Sequence, residues 1–295
     1  MTLEENYLVA FLDIIGFKSL ITDFIESGDE SIKEKLEDGL KNAELNSKKH
    51  QMDAEETDYD SNIQLKQFSD CTSISFKHPS IEEIEKESDR FGHELATSLL
   101  VLRDFQHELL ESNILIRGGL SLGRVHYEND NMIFSEGLVN SHFLESKVAF
   151  YPRIILHENL FGILKTMFEH HKEPMSRLGV DKILICDFKG IIFINPFNSF
   201  EVFEYEILRI LEKKYGFLPE SKKDEIIAES KKKDEEFQSN VWDNIEKEIL
   251  RLEAEAEIDC NTLKKLYWFK DFIEWNQRKK PSKFGFEYLR YKHLK

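Results

Sequence analysis

The sequence predicts an α+β fold in which an antiparallel-rich sheet is backed by helices. The residues from Tyr7 to Ile15 are nearly all apolar, aromatic or β-branched, as in a strand that is buried on both faces. Short segments with the pattern of hairpins then alternate with longer segments in which apolar residues recur at helical spacing. Strands and helices mixed along the chain in this way favour a sheet with helices packed on it.

The first part of the chain predicts a strand, two helical segments, a hairpin and a long helix. The strand breaks at Gly16 into a polar and apolar mixture that can open a helix, and residues 32–46 continue with helical spacing. The polar, acidic residues 48–61 are predicted to loop out as an insertion. Residues 63–76 have the pattern of a hairpin, and residues 81–112 have that of one amphipathic helix.

The following residues complete the predicted sheet. Residues 114–127 are typical of paired strands, and the helix after them is predicted to end at Pro152, before a strand at 153–156. A helix over 158–170 and a hairpin over 182–197 follow. The order β-α-α-β-β-α-β-β-α-β matches a ferredoxin-like sheet backed by helices.

The composition changes near residue 199 and divides the chain into two predicted regions. Residues 1–198 contain the sheet, and residues 199–295 are predicted to form a C-terminal appendage of long charged helices, such as 200–214 and 236–258. Three tryptophans in this region are expected to pack against partner helices rather than to bind a ligand: Trp242, Trp268 and Trp275.

Composition and charge narrow the class of protein. The chain has 295 residues, of which 41% are hydrophobic, and a formal net charge of −16, which opposes non-specific binding to nucleic acid and to anionic membranes. Its three cysteines are far apart and show neither zinc-site nor disulfide spacing, so a reducing cytoplasm is expected. The first residues lack the basic start of a signal peptide, and no apolar run approaches the ~20 residues of a membrane span.

Two aspartates stand at the ends of the first apolar runs. Asp13 lies in FLDIIGF (residues 11–17), and Asp70 lies in QFSDC (residues 67–71). Two carboxylates brought together at buried strand ends repel each other unless they share a cation, so the pair is interpreted as a divalent-metal site. The alternative is that Asp13 caps the helix near Gly16 and that Asp70 only ends a hairpin.

Four segments resemble those of class III nucleotidyl cyclases. FLDIIGFKSL (11–20) resembles their first metal-binding strand and turn, and LKQFSDCTSISF (65–76) resembles their second hairpin. ILIRGGLSLGRVHY (114–127) resembles their Arg-x-Gly-x-x-x-Gly strand pair. SEGLVNSHFLESKVAFYPRIIL (135–156) resembles their ribose-facing helix and is most similar to the pyrimidine cyclases of bacterial antiphage (Pycsar) systems. The resemblance spans about residues 6–196.

The resemblance implies a two-metal site for phosphoryl transfer. Asp13 and Asp70 would bind two Mg²⁺ or Mn²⁺ ions, and the backbone carbonyl of Ile14 would complete one coordination sphere, since oxygen ligands suit these hard cations. The β- and γ-phosphates of a nucleoside triphosphate would meet Arg117 and three backbone amides, those of Gly16, Phe17 and Lys18. A structural ion pair with an acidic residue is the alternative for Arg117.

Two positions bear on the base of the substrate. Lys66 occupies the position of a base-reading lysine in the purine cyclases that the chain resembles. Met132 falls where those enzymes carry their second base-reading residue, and it cannot hydrogen-bond a base edge in the same way, which counts against adenylate cyclase activity. Because Lys66 lies on an alternating strand, exposure to water is the alternative for its side chain.

The segment that resembles the ribose-facing helix departs from the family pattern. Asn140 is present, but Leu144 stands where the family has an arginine that stabilises charge in the transition state. Arg153 is predicted, ahead of Lys147, to supply that charge, because Pro152 directs the approach of the chain. The alternative for Asn140 is a polar residue on an exposed helix face. Two neighbouring glycines predict either a close backbone approach or a bulge: Gly118 and Gly119.

The resemblance implies an enzyme that converts UTP, ahead of CTP, into a 3′,5′-cyclic monophosphate and pyrophosphate. A homodimer is implied, with Lys66 and Asn140 of one chain acting on the metal site of the other. The cyclic nucleotide would activate a separate effector in antiphage defence. The alternatives are a purine cyclase, adenylate or guanylate, and a catalytically inactive nucleotide-binding regulator.

Overall fold

One mixed sheet runs through the protein in the computed structural model, which describes residues 5–55, 63–78, 88–128, 132–170, 180–197, 219–255, 259–278 and 281–294. The residues so described contribute nine strands. These are β1 (Glu5–Ile14), β2 (Ile63–Phe68), β3 (Cys71–His78), β4 (Ile116–Glu128), β5 (Met132–Ser135), β6 (Ile154–Leu156), β7 (Leu184–Cys186), β8 (Ile192–Ile194) and β9 (Glu287–Tyr288).

The helices pack on both faces of the sheet. They are α1 (Phe17–Ser27), α2 (Glu30–Glu55), α3 (Ser88–Glu111), α4 (Glu136–Phe143), α5 (Phe161–His170), α6 (Val180–Ile183), α7 (Glu220–Glu253) and α8 (Cys260–Arg278). A π-helix (Leu144–Val148) extends α4, and 3₁₀-helices cover Glu158–Leu160 and Tyr291–Leu294. In the described part of the chain, no helix combines the length and the apolar character needed to cross a bilayer.

The strand order confirms the predicted α+β class. The strands are arranged β2-β3-β1-β4-β6-β8-β7-β9, with β5 paired to β4. Among the described strands, all neighbours are antiparallel except β4 and β6. Up to β6, the strands and α-helices follow the predicted order, but the second strand of the predicted pair, β5, begins at Met132, beyond the predicted range of 114–127.

Three element boundaries differ from the prediction. α2 continues to Glu55, through the first part of the segment 48–61 that was expected to loop out, because these residues include good helix formers. Residues 56–61 lie outside the described residues, as does the helix expected over 200–214. β4 is one long strand rather than a strand pair, and its hairpin partner is β5. α7 begins at Glu220, well before the expected start at residue 236.

Alternate residues of β1 face two different layers. Leu8, Ala10 and Leu12 lie in the main core, together with apolar residues of α2, α3 and α5. Tyr7 and Val9 point the other way and pack against Leu138 of α4. We call this second side of the sheet the α4 face.

Glycines allow α4 to lie directly against β4. A Cβ atom on Gly119 would lie 2.4 Å from the carbonyl oxygen of Ser141 and 2.5 Å from Cβ of Leu144. On the neighbouring Gly118 it would lie 2.5 Å from Cδ2 of Leu12. Of the two interpretations of this glycine pair, close approach is the one that the structure shows.

The C-terminal helices share the sheet and a second core with the rest of the protein. Trp268 and Phe272 of α8 pack on Phe193 of β8, which lies on the α4 face through its partner Ile155. After α8, the chain adds β9 to the edge of β7. The three tryptophans lie in or against this second core.

A buried ion pair lies in the second core. The Arg153 side chain is 3% exposed, and its Nη1 donates to Oδ2 of Asp187 at 2.8 Å. The guanidinium also lies 5.5, 5.1 and 5.2 Å from the ring centres of Tyr151, Phe193 and Trp268. Burial lowers the pKa of Arg153, whereas its hydrogen bond to Asp187 raises it. This enclosure corrects the prediction that Arg153 supplies charge to a substrate, because the cation is already paired inside the protein.

We expect Gly119→Ala to destabilise the protein by roughly 1–3 kcal/mol, because the added methyl group must push α4 away from β4. Gly162→Ala is the matched control, since a Cβ at this position of α5 meets no atom within 4 Å. The control should be neutral or stabilising by up to about 1 kcal/mol. Urea unfolding measures both, and equal midpoints for the two variants would contradict the close approach.

Arg153→Met should destabilise the protein by about 3–5 kcal/mol, because it leaves the buried Asp187 carboxylate without its partner. Adding Asp187→Asn should recover part of that loss, since the uncompensated charge is then removed. The measurement is urea unfolding of the single and double variants. If Arg153→Met unfolds at the same midpoint as the parent, the guanidinium does not have the structural role described here.

Candidate metal centre

The pairing of β1 with β3 brings the two predicted aspartates together. Asp13 lies opposite Cys71 in the register of these strands. The backbone N–H of Ile14 donates to the carbonyl oxygen of Asp70 at 3.1 Å, so the end of β1 is held against the β2–β3 turn. Ligand atoms of Asp13, Asp70 and Cys71 lie within 4.8 Å of one another.

Tight turns present both aspartates at the edge of the sheet. Phe68 and Cys71 form the last pair of the β2–β3 ladder, so Ser69 and Asp70 make a two-residue hairpin loop. Ser69 has a φ of 54°, in the left-handed region that such loops require. After β1, Gly16 has a φ of 80°, which a glycine adopts without strain, and α1 begins immediately.

Arg117 forms an ion pair with the first aspartate. It lies opposite Asp13 in the β1–β4 register, and its Nε donates to Oδ2 of Asp13 at 2.9 Å. Its Nη2 is 2.9 Å from the same oxygen and 2.7 Å from Oε1 of Glu145. The structural ion pair that was the alternative for Arg117 is therefore present, and it lies at the place where a phosphate contact was predicted.

Glu145 is a third carboxylate of this cluster and was not among the predicted site residues. It lies on the π-helix, its side chain is 6% exposed, and burial raises its pKa. Arg117 opposes this shift, whereas the charge of Asp13 adds to it. The contact of Oε1 with Arg117 is an ion pair rather than a well-directed hydrogen bond. Its neighbours in sequence are mixed, with Ser146 and Lys147 between Leu144 and Val148, so the local pattern does not mark Glu145 as a site residue.

The Cys71 thiol lies between the two aspartates. Its Sγ is 3.9 Å from Oδ1 of Asp13 and 3.7 Å from Oδ1 of Asp70. Burial raises the pKa of Cys71 to about 12, and the charges of Asp70 and Asp13 contribute to the increase. The thiol is therefore protonated near pH 7.

The donor set suits a hard divalent cation. Asp13 and Asp70 offer carboxylate oxygens at the sheet edge, and such oxygens are the preferred ligands of Mg²⁺ and Mn²⁺. Soft cations favour several thiolate ligands, whereas Cys71 supplies the one sulfur atom among the described residues of this cluster. Asp13 and Asp70 are therefore the residues that could hold the predicted ions, with the Ile14 backbone between them.

Two predicted cations lie at different places around this cluster. Lys66 is paired with Ser73, and Ser73 with Phe11, so Lys66 lies on the same face of the sheet as Asp13. Lys18 is exposed in the first turn of α1. The first N–H groups of that helix, from Phe17 onward, have no acceptor within it and are available to an anion.

The remaining predicted residues are not drawn into the cluster. Asn140 is half-buried on α4 and, among the described residues, shares no hydrogen bond or ion pair with the two aspartates. Lys147 is exposed on the π-helix. The backbone of Met132 begins β5. Arg153 lies in the second core, away from the carboxylates.

Comparison with known proteins gives structural likeness only. Neither the protein-family models nor the curated proteins include a match to this chain. Among solved structures, the chain is 14% identical to the monomeric guanylyl cyclase domain of the RhoGC fusion protein from the aquatic fungus Blastocladiella emersonii, with a TM-score of 0.38, covering 64% of this chain and 94% of that chain. It is 12% identical to a bacterial light-regulated adenylyl cyclase, with a TM-score of 0.39, covering 71% of this chain and 99% of that one. Because both TM-scores are below 0.5, the case for the site rests on the geometry of this chain's own residues.

Proposed function

We propose that this chain is a nucleotidyl cyclase, which converts a nucleoside triphosphate into a 3′,5′-cyclic monophosphate and pyrophosphate. The observation that carries the proposal is the convergence of Asp13 and Asp70 at the sheet edge, beside the start of α1. Paired carboxylates suit divalent cations, and a helix start suits phosphates. A site that combines the two is fitted to a triphosphate with its metal ions.

The proposed reaction joins two parts of one substrate. The ribose 3′-oxygen attacks the α-phosphorus in line, its proton is lost, and pyrophosphate leaves. Divalent ions at Asp13 and Asp70 would help to deprotonate the hydroxyl and to neutralise the phosphates. The amides at the start of α1 would orient the β- and γ-phosphates, because the helix dipole favours negative charge there.

Arg117 and Glu145 support this arrangement together. The guanidinium contacts both Asp13 and Glu145, so it can turn toward a phosphate and remain paired with the buried Glu145 carboxylate. A phosphate contact of this kind favours arginine, whose donors match two oxygens at once. Glu145 is therefore proposed as a positioning residue for Arg117.

We propose a pyrimidine substrate, UTP ahead of CTP, and a homodimeric enzyme. Support for the pyrimidine comes from the resemblance of residues 135–156 to Pycsar cyclases and from Met132 at a base-reading position. Lys66, on the same face of the sheet as Asp13, is proposed to contact the base, in trans together with Asn140. The cyclic product is proposed to act as a second messenger that reaches a separate effector in antiphage defence.

A nucleotide-binding regulator without turnover is the second candidate. The observation that favours it is the ion pair of Arg117 with Asp13, since the guanidinium neutralises the oxygen that a cation would use. Such a protein would bind a metal triphosphate and release no pyrophosphate.

Incubation with Mn²⁺ and each of the four nucleoside triphosphates tests the substrate. We expect cyclic UMP as the main product, measured by chromatography with mass spectrometry, because Met132 disfavours reading of a purine. A purine cyclic nucleotide as the main product would contradict the choice of base and leave the cyclase proposal standing. Metal-dependent nucleotide binding with no cyclic product from any triphosphate would favour the regulator.

Asp70→Asn should lower the rate of cyclic nucleotide formation at least about 100-fold, because even residues that support a metal ligand indirectly contribute roughly 10- to 100-fold. It should also weaken Mn²⁺ binding, measured by electron paramagnetic resonance. Asp38→Asn is the matched control, since Asp38 is exposed on α2, and it should leave both quantities unchanged. Retention of parental activity by Asp70→Asn would remove the basis of the proposed mechanism.

A further inference from the structure

The proposed triphosphate site contains more acidic than basic side chains. Asp13, Asp70 and Glu145 supply three carboxylates, and Arg117 already pairs with two of them. A triphosphate adds further negative charge in the same place, where partial burial strengthens the repulsion. Metal ions neutralise part of this charge, and a protein cation beside the cluster would neutralise more.

Packing of α8 brings a lysine to the segment that follows the π-helix of Glu145. Trp268 stacks on Tyr151, with ring centres 4.8 Å apart and an interplanar angle of 8°. Lys265 lies one turn earlier on the same side of α8, and its Nζ is 5.3 Å from the ring centre of Phe150. Phe150 and Tyr151 closely follow the π-helix that carries Glu145.

The charges of the site act on this lysine. Lys265 is half-buried, whereas Lys264 beside it is exposed. Burial lowers the pKa of Lys265, and the Arg117 guanidinium lowers it further, while the carboxylates of Asp259 and Asp13 raise it. The chain after Phe150 leads to Arg153, whose carbonyl oxygen accepts from the N–H of Gly118, next to Arg117 in β4, at 3.0 Å.

We infer that Lys265 is a phosphate-binding residue, which the C-terminal helix α8 supplies to the same site. This inference rests on the proposed function, since it assumes that the site binds a triphosphate. The stacked Trp268 and Tyr151 hold the helix in place, and the flexible lysine stem can carry its ammonium from Phe150 toward a phosphate oxygen. The C-terminal helices thereby become part of the binding site.

The test is binding of the 1:1 complex of Mn²⁺ with inorganic tripolyphosphate, measured by calorimetry. This probe has neither base nor ribose, so its affinity reports on the phosphate contacts alone. Lys265→Met, which keeps the apolar stem, should weaken binding roughly 10- to 100-fold, as expected for the loss of a charged contact. Lys264→Met, which removes the neighbouring exposed charge, should stay within about twofold of the parent.

Further measurements separate the possible outcomes. Lys265→Arg should recover most of the lost affinity, and unfolding midpoints of the three variants should match the parent. Parental affinity in Lys265→Met, or no binding of the probe by the parent, would overturn the assignment. If the parent forms no cyclic nucleotide but loses affinity in Lys265→Met alone, the cyclase proposal fails while the phosphate-binding role of Lys265 stands.

Discussion

The register of β1 between β3 and β4 is the constraint on which the site depends. It places Asp13 opposite Cys71 on one side and opposite Arg117 on the other. A shift of one residue would turn Asp13 into the main core, where an unpaired carboxylate is strongly disfavoured. The hydrogen bond from Ile14 to Asp70 joins the second aspartate to the same register. The packing that forms the core therefore also assembles the carboxylate pair.

The negative charge of the carboxylate pair must be offset by the side chains around it. Asp13, Asp70 and Glu145 repel one another in a half-buried place, and Arg117 offsets part of the repulsion by touching two of them. Because Glu145 is the more buried of these two partners, it anchors the guanidinium from inside the protein. Arg117 therefore contributes both to the stability of the fold and to the chemistry proposed for the site.

The C-terminal helices cover part of the α4 face of the sheet. Arg153 ties them to the sheet, since it lies between Asp187 and the rings of Phe193 and Trp268. A carboxylate and aromatic faces both stabilise a buried guanidinium. The carboxylate is that of Asp187, and the aromatic faces come from β8 and α8. The same packing places Lys265 over the ring of Phe150.

Local sequence patterns were enough to predict the α+β class, most of the elements up to β6, and the turns that hold Asp13 and Asp70, because apolar periodicity and turn residues act over a few neighbouring positions. The sequence also marked Gly119 as a special position, but it was equally compatible with a close backbone approach and with a bulge. The packing of α4 against β4 shows the close approach. Tertiary packing encloses Arg153 in a core, brings Glu145 to Arg117 and places Lys265 on Phe150. Those placements depend on which helix face meets which strand, and contacts between residues distant in the chain leave no local pattern to predict them.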